Sequence, residues 1–294
     1  MKNTRIIIIS LYALLMCLTV KAQEDYPKHE FSVGGFAGIM SLKHDLEQGT
    51  SSDKLSGGIG LGYTYFFSKN VGLATGLDFA FYNQDIKLGE VSGSHQAFDL
   101  EVREDFEFRY NLKDYTEQQS AFYLNIPIMI HYQFAETENM IFYAAAGGKI
   151  GLPINGKYKS ITGNLKTEGY YPHNKDLIDD VPFRGFGEFP VSANEDKIKY
   201  KMSVSLAFET GVKWKLPNEM FLYTGVFVDY GLNDIKKEDM GRKPLVQYNP
   251  LNPEDHVYSG ILSSSNEKEG QENTFVKKIN TMGYGLKVRL AFGK

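Results

Sequence analysis

The sequence predicts an all-β protein, namely an eight-stranded antiparallel up-and-down β-barrel that spans a membrane. Three observations lead to this fold class. Apolar residues alternate strictly with polar or small residues in eight separate segments. The connections between these segments are alternately short and long. The apolar face of the segments carries no charged residue.

Residues 1–22 have the organisation of a secretory signal peptide. Lys2 and Arg5 form a positively charged region, an apolar core follows, and Val20-Lys21-Ala22 is a cleavage site with small residues. An uncleaved anchor helix is the alternative, but the apolar run is short for a membrane-spanning helix. We therefore predict that the signal is removed and that residues 23–294 form a single barrel domain.

Cysteine content and charge narrow the class of protein further. Cys17 is the only cysteine and would leave with the signal, so the mature chain would form no disulfide bond and no thiolate metal site. Loss of Lys2, Arg5 and Lys21 with the signal takes the formal net charge from −4 to −7. This negative charge argues against nucleic acid as a partner.

The eight alternating segments define the predicted strands in order. They are residues 29–40, 57–67, 71–85, 121–134, 139–154, 203–216, 220–233 and 280–293. Three connections are turn-sized and contain turn-forming residues: 68–70, 136–138 and 217–219. Four are long and polar: 41–56, 86–120, 155–202 and 234–279. This is the layout of an outer-membrane barrel, with periplasmic turns and four long extracellular loops.

The second long connection contains alternation of its own. Residues 98–102 and 106–110 each alternate between apolar and polar side chains. We predict that they form a hairpin that prolongs the third and fourth strands above the membrane.

The apolar face is predicted to meet lipid. In the fourth segment Phe122, Ile128 and Phe134 lie on one face, while Asn125 and His131 lie on the other. A charge facing lipid at mid-depth would cost about 2–4 kcal/mol, which accounts for the absence of charge there. The alternative is a soluble lipocalin-like barrel with its apolar face inward. An eight-stranded interior has no room for so many large apolar side chains, and the polar face is rich in small residues.

The polar face is predicted to fill the lumen with a paired charge network. Its members are Asp78, His131, Lys149, Glu209, Lys213, Asp229, Lys287 and Arg289. Buried charges need partners, so we interpret this set as an internal plug. A proton or ion path is the alternative. An open porin-like pore is not expected from eight strands.

The long loops carry aromatic clusters that form a candidate contact surface. Its residues are Phe106, Phe108, Tyr110, Phe183, Arg184, Phe186 and Phe189. Exposed aromatic side chains mark contact surfaces. The alternative is that the cluster in the third loop packs down on the mouth of the barrel.

Catalytic and metal-binding patterns are weak in this sequence. The loop histidines His44, His95, His173 and His256 are separate and share no metal-ligand or Ser/His spacing. The third loop is acidic, with Asn164, Asp176, Asp179, Asp180, Glu195 and Asp196, so calcium is conceivable. The regular spacing of a calcium loop is missing, which favours a solvated acidic loop. We predict no enzymatic activity, no cofactor and no metal site.

Three stretches resemble a known family. The fourth strand opens with Tyr-Leu-Asn-Ile-Pro-Ile at residues 123–128, the first strand is rich in glycine at residues 31–38, and the last strand spans residues 283–292. These stretches resemble the PorT-like outer-membrane β-barrel family. The resemblance implies an eight-stranded barrel in the outer membrane. One namesake member is associated with the assembly of a protein-secretion system, so the resemblance also implies a role in type IX secretion.

The sequence as a whole predicts an integral outer-membrane barrel of a Gram-negative bacterium. We favour a surface or structural scaffold whose long extracellular loops bind a partner, either a protein or a glycan. A component of an export or secretion assembly is the alternative, and a lipid-modifying barrel enzyme or a narrow channel is less favoured. Other expected partners are outer-membrane lipid and, during insertion, the barrel-assembly machinery.

Overall fold

The computed structural model describes residues 26–191, 194–237, 243–268 and 271–294. The predicted signal peptide lies outside the described residues. Within them, eight long strands form the barrel: β1 (His29–Leu46), β2 (Leu55–Phe66), β3 (Val71–Asp99), β4 (Glu104–Glu136), β5 (Met140–Tyr171), β6 (Ser203–Leu216), β7 (Met220–Gly231) and β8 (Val276–Gly293).

The eight strands close into a ring. Each strand pairs antiparallel with the strand before it and the strand after it. The first and last strands pair along their length, with Phe31 opposite Phe292 and Gly34 opposite Arg289. This closure removes the free edges of the sheet within the ring, as lipid requires. The predicted fold class is confirmed.

Short elements lie in the connections at one end of the ring. The short strands are Thr50–Asp53, Asp176–Ile178, Gly187–Pro190, Glu195–Lys197, Val246–Gln247, Val257–Tyr258, Ser265–Lys268 and Gln271–Thr274. Two 3₁₀ turns span Pro182–Arg184 and Ile261–Ser263. No helix in the described ranges is long and apolar enough to span a membrane.

Three neighbouring strands are much longer than the others. β3, β4 and β5 contain 29, 33 and 32 residues, whereas β7 contains 12. Their upper parts, residues 88–99, 104–120 and 155–171, continue above the rest of the barrel and are called here the tall wall. The second long connection is therefore mostly paired strand. The predicted hairpin is present, but its turn falls at residues 100–103, so residues 106–110 pair with 93–97.

Outward side chains of the tall wall change from apolar to polar at one height. On β4 the outward residues from Phe122 down to Phe134 are apolar, and those above Phe122 are polar or charged. Phe81 is paired with Phe122, and the next outward residue, Asn83, is paired with Ser120. The outward side chains of neighbouring strands thus change from apolar to polar at the same height. This height marks the upper edge of the belt that faces lipid.

A bulge in β4 keeps the large side chains pointing inward on both sides of it. The pairing register with β5 shifts between Lys113 and Thr116, and Asp114 has a φ of 51°. Below the bulge the odd-numbered residues from Tyr115 face the interior. Above it the even-numbered residues up to Phe106 do so. One extra residue therefore reverses the phase of the alternation.

The connection between β7 and β8 folds over the mouth of the barrel. Its residues 243–264, called here the cap, pack their apolar side chains against the inner face of the tall wall. The buried cap residues are Leu245, Val246, Tyr248, Tyr258, Ile261 and Leu262. They share one apolar cluster with Phe106, Phe108 and Tyr115 of β4. The upper part of the barrel is consequently filled by an aromatic and aliphatic core.

Candidate functional site

Six charged side chains form an alternating chain across the lumen, called here the lumen network. Lys149 Nζ lies 2.7 Å from Asp229 Oδ2 and 3.6 Å from Asp78 Oδ2. Lys287 Nζ lies 3.7 Å from Asp78 Oδ2 and 3.4 Å from Glu209 Oε2. Arg289 Nη2 donates to Glu209 Oε1 at 2.5 Å. Each cation thus has at least one carboxylate neighbour, which offsets part of the cost of burying it.

The other two predicted lumen residues take different positions. Lys213 forms a separate buried ion pair with Glu30, and Tyr223 donates to the same carboxylate at 2.5 Å. His131 forms no ion pair with the residues that the structure describes; its ring stacks on Tyr143 with the centroids 5.1 Å apart. The predicted set therefore divides into a six-member chain, one ion pair and a stacked histidine.

Glu30 is the lumen residue that the sequence reading missed. It lies on the polar face of the first segment, between His29 and the lipid-facing Phe31, and it is buried. With Glu30 the lumen holds four carboxylates and four cations among the described residues: Glu30, Asp78, Glu209 and Asp229 with Lys149, Lys213, Lys287 and Arg289. Glu30 lies in the first predicted segment, but its partner Lys213 became evident only in the structure, where the two side chains meet inside the barrel.

The lumen network leaves little free space. A cavity of about 30 Å³ lies between Asp78, His131, Glu209, Lys287 and Arg289. This volume is enough for about one or two water molecules. Above it the interior continues directly into the apolar core beneath the cap. The arrangement is that of a filled barrel rather than an open pore.

A buried carboxyl ties the cap to the tall wall. Glu117 of β4 accepts hydrogen bonds from Gln119 Nε2 at 2.7 Å and from the backbone N–H of Ile261 at 2.9 Å. Burial raises the pKa of Glu117 to about 7, although these hydrogen bonds lower it. His44 contacts the same glutamine, Nε2 to Oε1 at 2.9 Å, and burial lowers the pKa of His44 to about 4.

A second polar tie lies at the top of the tall wall. Arg184 Nη2 and Tyr171 Oη each donate to Asp99 Oδ2 at 2.7 Å. Burial alone would raise the pKa of Asp99, but these donors hold it below its usual range. Arg184 therefore fixes the third loop to the end of the β3–β4 hairpin.

The structure corrects the predicted loop contact surface. Phe106, Phe108, Tyr110 and Phe186 are buried in the core beneath the cap, because the cap covers the inner face of the tall wall. Phe189 is half-buried against the same core, and Arg184 is held in its ion pair. Only Phe183 of this set is largely exposed. The alternative given for the third-loop cluster, packing on the mouth of the barrel, is therefore correct for Phe186.

The outer face of the tall wall carries polar and charged side chains instead. A cleft of about 730 Å³ is lined by Asn111, Lys113, Asn164, Lys166, Glu168, Glu188 and Phe189, together with Leu165 and Pro190. An adjoining cleft of about 410 Å³ shares Asn111, Lys166 and Glu168 with it. Arg109 lies beside this second cleft and stacks on the ring of Tyr170 at 4.6 Å. Apart from Phe189, the sequence analysis did not select the residues of these clefts as a contact surface, because they look like an ordinary solvated surface.

The histidines and acidic residues in the described part of the chain form no candidate metal site. No group of three or more His, Cys, Asp or Glu side chains there has an arrangement that could hold a metal ion. His256 contacts the carbonyl oxygen of Gly185, and His95 packs on Phe108. Burial lowers the pKa of both histidines.

The closed ring, the apolar outer belt and the filled lumen define a small transmembrane β-barrel. Residues 21–237 match the profile of the outer membrane protein beta-barrel domain. This match covers well over half of the 294 residues, so the chain belongs to that family and is an outer-membrane protein. Strand β8 lies beyond the matched residues, and its pairing with β1 and β7 completes the ring.

Several solved structures are similar to this chain. Neisserial surface protein A is 10% identical, with 90% of this chain and 96% of that chain covered and a TM-score of 0.33. Ail, the attachment invasion locus protein of Yersinia pestis in complex with sucrose octasulfate, is 11% identical, with 90% and 99% covered and a TM-score of 0.33. OprG from Pseudomonas aeruginosa is 12% identical, with 92% and 98% covered and the same TM-score. Similarity at this level says nothing about function. No curated protein matches the chain.

Proposed function

We propose that the barrel is a non-enzymatic surface scaffold that binds an extracellular glycan on the outer face of its tall wall. The observation that carries this proposal is the 730 Å³ cleft beside Asn111, Asn164 and Phe189. Its volume lies within the range of small-molecule sites, about 300–1,000 Å³. Asn164 offers both donors and an acceptor to hydroxyl groups, whereas Asn111, whose Nδ2 already donates to Glu90 and Ser92, offers its Oδ1 as an acceptor. The half-buried ring of Phe189 offers an apolar contact.

Charge pairing on this face supports a neutral or mildly polar ligand. Lys166 lies 3.3 Å from Glu168, and Arg109 lies 2.7 Å from Glu107. Lys113 lies 3.4 Å from Glu90. Because each cation already has a carboxylate partner, the cleft presents hydrogen-bonding groups rather than a strong field of one sign. Hydroxyl-rich ligands suit such a surface better than highly charged ones do.

The tall wall also gives this cleft a rigid base. Its inner face is packed against the cap, so the outer face is held by buried side chains such as Phe106 and Leu112. Sites on strands are more sharply positioned than sites on loops. The proposed binding surface therefore shares only Phe189 with the contact surface that the sequence suggested, although it lies at the same end of the barrel.

A glycan array probed with the barrel in lipid nanodiscs tests the proposal. The double variant Asn111→Ala/Asn164→Ala should lose about tenfold or more in affinity for any glycan bound, since each lost hydrogen bond contributes about 1 kcal/mol. Lys277→Ala, an exposed change outside the cleft, is the matched control and should bind like the parent. Equal binding by the double variant and the parent would contradict the proposal.

A role in protein secretion is the second candidate, and it rests on the resemblance of residues 123–128 to PorT-like barrels. Such a component would contact proteins through its turns or rim. Co-purification from outer membranes distinguishes the two functions. Proteins captured equally by the parent and by Asn111→Ala/Asn164→Ala, with no glycan bound by either, would favour the secretion assembly.

A further inference from the structure

Four lysines lie together on the outer surface of the barrel just above the lipid-facing belt. On β5 the last apolar outward residue before them is Ile154, and Lys157 and Lys159 follow on the outward face. Residues 195–201 run beside this part of β5, with Lys197 and Lys199 exposed while Ile198 and Tyr200 are buried. Lys157, Lys159, Lys197 and Lys199 are called here the lysine patch.

The strand pairing places two of these positive charges side by side. Lys157 is directly opposite Lys197 in the antiparallel pair, and the neighbouring N–H of Ile198 donates to the carbonyl of Gly156 at 2.9 Å. Like charges in directly opposed positions destabilise a strand pair. An arrangement of this kind is favourable only if negative charge is brought to it.

The acids among the described residues supply only part of that negative charge. Glu195 pairs with Lys157 at 2.7 Å, and Asp196 accepts a hydrogen bond from the backbone N–H of Lys197. Lys159, Lys197 and Lys199 form no ion pair with the described residues. Four lysines against two carboxylates leave the patch with a local excess of positive charge, although the whole chain is negative.

The lysines on the opposite side of the rim are different. Lys43 lies 2.8 Å from Asp53, Lys54 lies 2.7 Å from Asp85, and Lys277 lies 3.4 Å from Glu47. Each of these three cations has its own carboxylate within 3.4 Å, which Lys159, Lys197 and Lys199 lack among the described residues. The patch therefore differs from these three rim lysines by its unpaired positive charge.

The height of the lysine patch matches the lipid headgroup layer. Lys157 is three residues above Ile154, which is about 10 Å along a strand and less along the membrane normal because barrel strands are tilted. The headgroup region adds about 5–8 Å to each side of the hydrocarbon core. Long lysine side chains extend readily toward this layer. Lys199 lies close to the exposed, lipid-level Met202, so it reaches the same zone.

We propose that the lysine patch is a binding site for the phosphate groups of phosphorylated lipids in the outer leaflet. The height of the patch and its uncompensated charge favour a lipid over a soluble anion, because the bilayer holds phosphates at that level permanently. The site fixes one side of the barrel against a particular lipid headgroup. It is independent of the proposed glycan cleft.

Lipid retention tests this proposal. The barrel is inserted into phosphatidylcholine vesicles that contain bisphosphorylated lipid A, extracted with mild detergent, and analysed for bound lipid A by mass spectrometry. Each lysine near a layer of anionic lipid contributes roughly fivefold in affinity. Lys197→Gln/Lys199→Gln should therefore retain at least about tenfold less lipid A than the parent. Lys43→Gln/Lys54→Gln is the matched control and should retain as much as the parent.

Two further arms separate phosphate recognition from other causes. The parent should retain dephosphorylated lipid A poorly, and inorganic phosphate should not displace the bound lipid. Heat-dependent gel migration should be the same for all variants, because the substituted lysines are exposed. Equal retention by parent and Lys197→Gln/Lys199→Gln overturns the proposal, as does equal retention of dephosphorylated lipid A. Displacement by inorganic phosphate would assign the patch to a soluble anion instead.

Discussion

The membrane-spanning part of the barrel and the tall wall above it are built from the same strands with opposite polarity. Along β4, Ile128 faces out and His131 faces in at membrane level, whereas Arg109 faces out and Phe108 faces in above it. Lipid excludes outward charge, so polar groups at membrane level are inside and must pair with each other. Water accepts outward charge, so the upper interior can be an ordinary apolar core.

This difference predicts that substitutions in the two regions change the stability of the protein in different ways. The lumen network connects five strands through β3, β5, β6, β7 and β8, so the loss of one member leaves buried charges unpaired across the ring. The cap is joined to the tall wall by packing and a few hydrogen bonds, so it can open without disturbing the ring. Lumen variants should affect the whole barrel, and cap variants should have local effects.

The largest effect is expected at Glu209. Glu209→Ala leaves Arg289 without its carboxylate and Lys287 with only Asp78 at 3.7 Å, and it should destabilise the barrel by about 3–5 kcal/mol. Urea-induced unfolding in lipid vesicles, followed by the fluorescence of Trp214, measures this change. The control is Glu136→Ala, which removes an exposed partner of Lys69 and Lys215 and should cost at most about 1 kcal/mol. Similar costs at the two sites would show that the lumen charges are not a cooperative network.

Substitutions on the outer face of β4 test the position of the boundary between the lipid-facing part of the barrel and the water-facing tall wall. Ile128 and Gln118 both point outward from β4, on either side of the polarity change. Ile128→Arg should cost about 2–4 kcal/mol, because the charge would face the middle of the bilayer. Gln118→Arg should change stability by about 0.5 kcal/mol or less, because it faces water. The same unfolding experiment compares them, and a large cost at Gln118 would move the boundary upward.

Glu117 should make the stability of the cap depend on pH. Burial raises the pKa of Glu117 from 4.5 to about 7, so the folded cap favours the protonated carboxyl. The cap is then most stable below pH 4.5 and loses about 3 kcal/mol as the pH rises through 7. His44 acts in the opposite direction, because its lowered pKa removes stability as the pH falls from 6.5 to about 4.

Comparison of the parent with Glu117→Gln separates the effect of the Glu117 carboxyl on the stability of the cap from the effect of His44, because both proteins contain the histidine. Hydrogen exchange of the amides at residues 257–262 is measured from pH 5 to pH 8 for the parent and the variant. At each pH the exchange rate of the parent is divided by that of the variant. The ratio should rise with pH, because only the parent acquires the buried charge. A ratio that does not depend on pH would mean that Glu117 is ionised throughout the range at no cost.

The smallest effect is expected from trimming the cap itself. Ile261→Val removes one buried methylene group and should weaken the cap by about 0.5–1.5 kcal/mol. Faster hydrogen exchange should be confined to the cap, and the urea midpoint of the barrel should not change. A shift of that midpoint would show that the cap and the membrane-spanning ring unfold as one cooperative unit.

The sequence by itself determined the number of membrane-spanning strands, the face of each strand that meets lipid, and the cations and most of the acids of the lumen. These properties are local, because alternation with a period of two is imposed on every strand that has lipid on one side. Glu30 follows the same alternation, but it was not among the predicted lumen residues.

The sequence predicted the β3–β4 hairpin above the membrane, but only the tertiary structure decided which of its faces is covered. The burial of Phe106, Phe108 and Phe186 depends on the cap, which is more than 50 residues away in the sequence and covers them from the opposite side. The bulge at Asp114 decides which residues of β4 face that core. The lysine patch exists only because residues 197 and 199 lie beside 157. In water, alternation identifies two faces but not which one is covered, and only long-range packing settles that choice.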